Sequence, residues 1–257
     1  MSSYEIYIAY STIVRKEIQR FMRIWVQTLL PPSIIMVLYF IIFGNLIGSR
    51  IGQMGGFDYM QFIVPGLIMM SVITNSYGNV VSSFYSTKYQ GSIEEMLVSP
   101  MPNWVILAGY VTGGVARGLA VGAIVTTLSL FFTHLEIHNL GIITLVVLMT
   151  SILFSLGGFI NAVFANSFDD IAIVPTFILT PLTYLGGVFY SIDLLPDFWA
   201  GVSQLNPILY MVNAFRYGIL GVSDIPVGYA LLVISVFIFA LFSYCMHLLN
   251  TGKGIRK

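Results

Sequence analysis

Long uncharged stretches dominate the pattern of hydrophobic and polar positions along this chain. Eight stretches of 18 to 32 residues contain no Asp, Glu, Lys or Arg. A helix needs about 20 apolar residues to cross the hydrocarbon core of a membrane, and it satisfies its backbone hydrogen bonds internally. The run at 38–43 lacks the two-residue alternation of a membrane barrel strand. The pattern therefore predicts an all-α, polytopic membrane protein.

Six transmembrane helices are predicted from this pattern. They cover residues 25–47, 59–84, 104–132, 140–164, 171–189 and 226–249. Pro31 and Pro32 fall in the first turns of the first span, where a proline is least disruptive. Pro65, Pro175 and Pro181 lie inside later spans and are candidate bend points.

The segment before the first span has the spacing of an amphipathic helix over 12–27. Apolar side chains recur on one face and basic side chains on the other: Val14, Ile18, Phe21 and Trp25 on the first, Lys16, Arg20 and Arg23 on the second. Two compatible interpretations follow. The helix anchors the first span at the membrane surface, or it also offers a docking surface to a cytoplasmic partner.

Residues 190–224 are too polar for a plain span and too apolar for a free loop. Asp193 and Asp197 alternate there with apolar pairs such as Phe198-Trp199. This mixture predicts short helices that dip into the outer membrane interface, a re-entrant element before the last span.

The distribution of basic residues predicts the orientation, because positive charge stays on the cytoplasmic side. One side holds eight basic residues and the other holds Arg50 and Arg216. The eight are Arg15, Lys16, Arg20, Arg23, Lys88, Lys253, Arg256 and Lys257. Both termini are therefore expected in the cytoplasm, with residues 190–224 facing outward.

Composition excludes several classes of protein. Hydrophobic residues make up 57% of the 257 residues and charged residues 9%, against about 25% charged in an average soluble domain. The net charge of +0 offers no field that would attract nucleic acid. Cys245 is the single cysteine, so an internal disulfide is impossible. An ordinary cytosolic enzyme and a nucleic-acid binder are both excluded.

Charged groups inside the predicted spans are almost absent. Arg117 is the one exception, and no carboxylate accompanies it, which argues against a proton- or sodium-coupled carrier. Gly114, Gly118 and Gly122 form a smooth ridge on the same helix, as close helix packing requires. We interpret Arg117 as a structural residue that reaches backbone carbonyls or the inner interface.

Catalytic, metal and nucleotide sites are not predicted. His134, Glu136 and His138 alternate in a short loop, but no fourth ligand is near in sequence, so no metal site is expected. No nucleophile and base fall at one predicted depth. A phosphate-binding Gly-x-x-x-x-Gly-Lys-Ser/Thr motif is missing as well. If the chain drives uphill transport, another subunit must hydrolyse ATP.

Polar side chains inside the spans have two possible roles, which sequence alone does not separate. They hydrogen-bond between helices, or they line a path for a transported molecule. These residues are Asn75, Asn79, Asn161, Thr176, Thr180 and Tyr184.

Three motifs together resemble the type-2 family of ABC-transporter permeases, which includes exporters of polysaccharides, nodulation factors and antibiotics. The motifs are FIVPGL at 62–67, EEMLVSP at 94–100 and PLTYLGGVFY at 181–190, the last followed by Leu195-Pro196, Leu205-Asn206-Pro207 and Ala214-Phe215-Arg216. Their order and spacing extend the resemblance over essentially the whole chain.

The resemblance implies one domain over 1–257, with a core of about 22–251, that forms half of a bacterial inner-membrane exporter. Two copies would dimerise among membrane lipids and bind two separate ATP-binding cassette subunits, which would hold the ATP and Mg. No cofactor is expected in this chain itself. Residues 1–24 would form the cytoplasmic tail and interface helix, 85–103 the cytoplasmic coupling region, and 190–224 the outer re-entrant region.

The resemblance also assigns expected roles to single residues. The ATPase-coupling residues would be Glu94, Glu95, Pro100, Pro102 and Arg20; the path-lining residues would be Asn75, Asn79, Thr176, Thr180 and Tyr184; and the outer gate would be Phe189 and Tyr190. Two other hypotheses stay open from the sequence: an ATP-independent channel or carrier, and a membrane scaffold that transports nothing.

Overall fold

The computed structural model describes residues 2–255, apart from the side chain of Asn45, and most of them are helical. The predicted basic residues Arg256 and Lys257 lie outside the described residues. The helices are α1 (Ser3–Arg23), α2 (Trp25–Ile51), α3 (Tyr59–Tyr89), α4 (Ser92–Val98), α5 (Asn103–Ser129), α6 (Leu140–Phe164), α7 (Asp170–Tyr184), α8 (Asp197–Gln204), α9 (Pro207–Leu220) and α10 (Val227–Thr251).

Five of these helices are long and apolar enough to cross a membrane, namely α2, α3, α5, α6 and α10. They match five of the six predicted spans and confirm an all-α, multi-pass membrane protein. The predicted fifth span is the shorter apolar helix α7, which ends at Tyr184 rather than Phe189. Gly186 and Gly187 follow, and Gly187 has a left-handed φ of 70°, which ends the helical conformation.

Helix α1 begins earlier than the predicted amphipathic segment. Ser2 caps it, and Glu5 completes a capping box with the Ser2 backbone N–H. Its buried face is also shifted from the predicted one: Ile13, Glu17 and Phe21 are buried, while Ile18 is exposed. Trp25, predicted on the same face, is exposed at the start of α2. The Glu17 side chain therefore faces the interior of the bundle and packs against α5.

Two glycines on α5 make room for α1. A Cβ at Gly109 would lie 2.5 Å from Ile13 Cγ2, and a Cβ at Gly113 would lie 2.5 Å from Glu17 Cβ. Because contacts of this length are not tolerated, the α1–α5 packing requires both glycines.

Helix α2 lies at the edge of the bundle. Pro31 and Pro32 occupy its first turns, as predicted, and a wider helical turn of the π type spans Phe40–Ile47. A two-stranded hairpin follows, β1 (Gln53–Met54) and β2 (Phe57–Asp58), closed by two glycines of positive φ. This hairpin joins α2 to the N-terminal end of α3.

Helix α3 is the centre of the bundle and packs against α5, α6 and α9. Of its most apolar 18 residues 78% are buried, against 12% for α2 and 17% for α10. Small residues bring its neighbours close: a Cβ at Gly158 of α6 would lie 2.5 Å from the Tyr77 carbonyl oxygen. Helix α3 runs without interruption through Pro65.

Residues 190–224 form short helices, as the sequence predicts. A 3-10 turn at Ile192–Leu194 and the short α8 precede α9. Asn206 caps α9, Pro207 opens it and Gly221 closes it with a φ of 75°. Most of α9 is buried against α3, α6 and α10, so α9 is an integral part of the bundle, whereas α8 is mostly exposed.

Candidate functional site

The hairpin between α3 and α5 carries a small exposed helix, α4, at one end of the bundle. Gly91, with a φ of 78°, turns the chain out of α3, and Ser99 returns it in an extended conformation. Pro102 then occupies the N-cap position of α5. The ends of two long helices therefore hold α4 at a fixed place.

The exposed face of α4 is acidic and apolar. Ile93 is buried and fixes the helix against the bundle, whereas Glu94 and Glu95 are exposed. Val98 is 87% exposed. Pro100 is exposed beside them and Pro102 is half-buried. Two exposed carboxylates thus lie one helical turn from an uncovered apolar side chain.

A polar cluster fastens α1 to α3 next to this hairpin. The fully buried Glu17 accepts a hydrogen bond of 2.6 Å from the Ser83 hydroxyl through Oε1. Its other oxygen lies 3.6 Å from Arg20 Nη2. Arg20 also donates to the side-chain and backbone oxygens of Asn79, at 2.8 and 2.9 Å. This charge-assisted network therefore joins α1 to α3.

This cluster brings together two residues that the sequence assigns to different places. Arg20 is predicted to couple to an ATPase and Asn79 to line a path, yet the two are hydrogen-bonded to each other between α1 and α3. Asn79 is fully buried, and Arg20 is 28% exposed. Asn75, another predicted path residue, is also buried and donates to the Ser71 carbonyl of its own helix.

Arg117 lies near the same cluster. Its Nη2 donates to the carbonyl of Thr28 at 3.4 Å, which joins α5 to the start of α2. This agrees with the interpretation of Arg117 as a structural residue that reaches a backbone carbonyl.

Helix α7 presents the remaining predicted path residues at the surface of the chain. Thr176, Thr180 and Tyr184 are exposed, as are the apolar side chains of Ile173 and Phe177 beside them. The Thr180 hydroxyl donates to the Pro175 carbonyl of its own helix, which satisfies it in an apolar environment. The exposed face of α7 is thus an apolar wall with a few hydroxyls.

Four aromatic rings join α7 to α2 at the end of the bundle opposite α4, which the sequence predicts to face outward. We call them the outer aromatic cluster: Tyr39, Phe43, Tyr184 and Phe189. Ring centroids are 4.8 Å apart for Phe43–Phe189, 5.5 Å for Tyr39–Phe43 and 5.7 Å for Tyr184–Phe189. The Tyr39 and Tyr184 hydroxyls are 3.4 Å apart. Stacking at these distances stabilises the contact beyond the area it buries.

Hydrogen bonds hold the predicted gate residues to this cluster. The Tyr59 hydroxyl donates to the Phe189 carbonyl at 3.2 Å, and the Tyr190 hydroxyl donates to the Tyr184 carbonyl at 2.9 Å. Burial raises the pKa of Tyr190, so its phenol stays a neutral donor. Both predicted gate residues are half-buried.

Sequence reasoning missed two buried charged residues, Glu17 and Arg216. In the sequence, Glu17 lies in a polar segment among other charged residues, and Arg216 is counted with the basic residues predicted to face outward. Neither position indicates that the side chain is buried. The one available signal for Glu17 was the pair of glycines on α5, which indicates a close neighbour but not which one.

The loop at 134–138 contains three residues of types that can bind metals, His134, Glu136 and His138. Within residues 2–255, no three His, Cys, Asp or Glu side chains are placed to share a metal ion. His134, Glu136 and His138 instead line an open cavity of about 510 Å³ with Gln61.

Comparisons with known proteins agree with this architecture. A family model described as ABC-2 type transporter matches residues 8–220. The chain is 62% identical to the inner membrane transport permease YadH of Escherichia coli K12 over 251 residues, which are 98% of each protein. It is 22% identical over 186 residues to nodulation protein J of Rhizobium leguminosarum bv. trifolii, covering 72% of this chain and 71% of that protein. The chain belongs to the ABC-2 type transporter family and is a membrane permease subunit of an ABC transporter.

Proposed function

We propose that this permease is one half of an ATP-driven exporter of the bacterial inner membrane. Two copies form the path, and each binds a separate ATPase subunit that holds ATP and Mg. Both termini lie in the cytoplasm on this proposal, and the chain itself carries no catalytic site. The export direction follows from the resemblance of residues 181–190 to exporters of this family.

The observation that carries the proposal is the exposed acidic face of α4. Isolated exposed carboxylates are common, but Glu94 and Glu95 stand beside the uncovered Val98 on a helix that Ile93 anchors. An apolar contact surrounded by charges provides both affinity and selectivity in protein association. A positively charged groove on an ATPase subunit is the partner that this surface fits.

Force would pass from α4 into the membrane through rigid parts. Helix α3 ends at the α4 hairpin and helix α5 begins there, and α3 is largely buried along its length. The Glu17–Ser83 and Arg20–Asn79 bonds fix α1 to α3, so the two respond together. Closure of the ATPase subunits would then rock the bundle and move the outer aromatic cluster. Coupling of this kind requires an element with two conformations, and both the ATPase and the substrate must shift the equilibrium between them. We assign this role to the helix bundle.

The path would lie along α2 and α7, where a second copy completes it. Both helices expose apolar side chains and meet at the outer aromatic cluster. Thr176, Thr180 and Tyr184 add hydroxyls to this wall. An apolar wall with scattered hydroxyls favours an amphipathic substrate.

Charge reversal on α4 tests the proposal. Glu94→Lys with Glu95→Lys should abolish co-purification of the ATPase subunit from membranes and reduce its stimulated ATP hydrolysis about tenfold or more, since like charges across an interface cost several kcal/mol. Membrane insertion should be unchanged, because both side chains are exposed.

Asp193→Lys with Asp197→Lys is the matched control, since both carboxylates are exposed at the opposite end of the bundle. It changes the net charge equally and should leave ATPase binding intact. If the Glu94 and Glu95 double variant retains the ATPase subunit as the control does, the exporter proposal is wrong. An ATP-independent carrier or a membrane scaffold then becomes the better explanation.

A further inference from the structure

Arg216, on α9, is a positive charge that the protein encloses completely. Its side chain is fully buried. Among the described residues no carboxylate lies within ion-pair distance of it; Asp224 is the acidic residue whose charge acts on it from further away. An enclosed guanidinium without a paired carboxylate is expensive, so its position calls for an explanation.

The guanidinium joins three separate parts of the fold. Nη2 donates to the Gly187 carbonyl at 2.6 Å, and Nε approaches the Phe62 carbonyl at 3.4 Å. The group also stacks over the Phe62 ring, 3.9 Å from its centroid. A charge-assisted hydrogen bond and a cation–π contact therefore connect α9 with α3 and with the segment after α7.

The chain around Gly187 is shaped for this contact. Gly187 has a φ of 70°, which a residue with a side chain rarely adopts, and this turn directs its carbonyl to Arg216. A Cβ at Gly66 of α3 would lie 2.7 Å from the Val188 carbonyl oxygen, and a Cβ at Gly186 would lie 2.6 Å from Ile208 Cγ2. Residues 186–188 are therefore clamped between α3 and α9, and we call them the clamped segment.

The clamped segment leads directly into the outer aromatic cluster. Phe189 and Tyr190 follow it at once, and Tyr184 precedes it. The bond from Arg216 to Gly187 is the charged contact of this segment, whereas its other contacts are apolar or neutral. The guanidinium also keeps one buried nitrogen, Nη1, without a hydrogen-bond partner in the described part of the chain.

We propose that Arg216 is a positioning residue that holds the outer aromatic cluster closed by fixing the clamped segment on α3. The inference deepens the proposed function, on which the role of that cluster as an outer gate rests. Loss of the charged contact releases residues 186–188 and opens the outer end without any action of an ATPase. The rest of the bundle stays folded, because α3 and α9 keep their apolar contacts.

Thiol labelling tests this proposal on the full chain in membranes. Val188→Cys places a reporter in the clamped segment, where Val188 is fully buried and a thiol is a well-tolerated replacement. The native Cys245 is also fully buried, in α10, and reports on general unfolding in the same molecule. N-ethylmaleimide is added, and the two modified peptides are separated by mass spectrometry.

Two substitutions at position 216 are compared. Arg216→Gln should raise the labelling rate at residue 188 about tenfold, the factor that corresponds to one lost hydrogen bond to a charged group. Arg216→Lys keeps the charge and should give an intermediate rate. Cys245 should stay protected in both, and Arg50→Gln, which removes an exposed arginine, should change neither rate.

Equal labelling at residue 188 with Arg or Gln at position 216 would overturn the proposal. So would a rise at Cys245 that parallels residue 188 in both the Gln and Lys variants, because Arg216 would then be a general structural residue. The measurement needs neither ATPase nor substrate. Its failure would remove the positioning role and leave the proposed transport function standing, which the α4 charge reversal tests separately.

Discussion

Helices α3 and α2 are neighbouring spans with opposite surroundings. The most apolar stretch of α3 is 78% buried, and that of α2 is 12% buried. Yet α3 is the more polar of the two, with Asn75, Ser76 and Asn79 enclosed along it. In a membrane the apolar side chains lie against lipid at little cost, while polar ones need protein partners. Polar residues in a span of this protein therefore mark helix packing first, and we propose a transport path only where they are also exposed, as on α7.

The largest expected effect concerns the cluster that joins α1 to the central span. Glu17→Ala removes the carboxylate that Ser83 and Arg20 share, and it should lower the free energy of unfolding by about 3 kcal/mol, the low end for breaking a buried ion pair because Arg20 keeps some solvent contact. Thermal unfolding in detergent measures the loss, and trypsin should cleave α1 faster.

Gln19→Ala is the control for Glu17→Ala, since Gln19 is exposed on the same helix. Its melting temperature and cleavage rate should match those of the wild type. Equal stability of the two variants would show that α1 does not depend on the buried carboxylate.

A smaller effect is expected where α5 packs on α3. A Cβ at Gly114 would lie 2.7 Å from Val80 Cγ2 and 3.0 Å from the Ser76 carbonyl. Gly114→Ala should therefore destabilise the protein by about 2 kcal/mol, as overpacking of a filled interior does. Thermal unfolding is again the measurement.

Gly78→Ala supplies the comparison for Gly114→Ala, because a Cβ there meets nothing within 4 Å. It should be neutral or stabilise α3 by up to about 1 kcal/mol through helix propensity. Equal melting temperatures for the two alanine variants would contradict close packing of α5 on α3 at Gly114.

The smallest effect is expected at the edge of the bundle. Tyr184→Phe removes the hydroxyl contact with Tyr39 but keeps the ring in the outer aromatic cluster. The loss should stay below about 1 kcal/mol, since the bond is long and partly exposed. Tyr244→Phe on α10 is the matched control, with 44% exposure against 43% for Tyr184. If Tyr184→Phe alone lowered the free energy of unfolding by several kcal/mol, contacts at the edge of the bundle would contribute as much stability as those at its centre.

The sequence predicts the spans well because uncharged length is a strong, local signal. It also predicts Pro31 and Pro32 at the start of α2 and the short helices within 190–224, where prolines and polar residues punctuate the chain. The inner face of α1 is predicted one position away from the observed one. The reason is physical: Glu17 is buried only because Gly113 and Ser83, distant in sequence, provide space and a donor for it.

The candidate site was less predictable than the spans. Glu94 and Glu95 are exposed on α4 as the resemblance implies, whereas Arg20 and Asn79 hydrogen-bond to each other inside the bundle. Whether any of these residues couples to an ATPase or lines a path stays a prediction. Arg216 could not be found from local pattern, since its partners Phe62 and Gly187 come from two other parts of the chain.

The central claim is that two copies form the path, with the exposed face of α7 directed toward the second copy. Cross-linking tests this claim most directly. In a two-fold symmetric dimer, residues near the axis meet their own copies. Phe177 on α7 and Phe239 on α10 are matched, with exposures of 73% and 74%, and the native Cys245 is buried. With a short bismaleimide in membranes, Phe177→Cys should give a covalent dimer and Phe239→Cys should stay monomeric. Dimers from Phe239→Cys alone, or equal yields from both, would contradict the account.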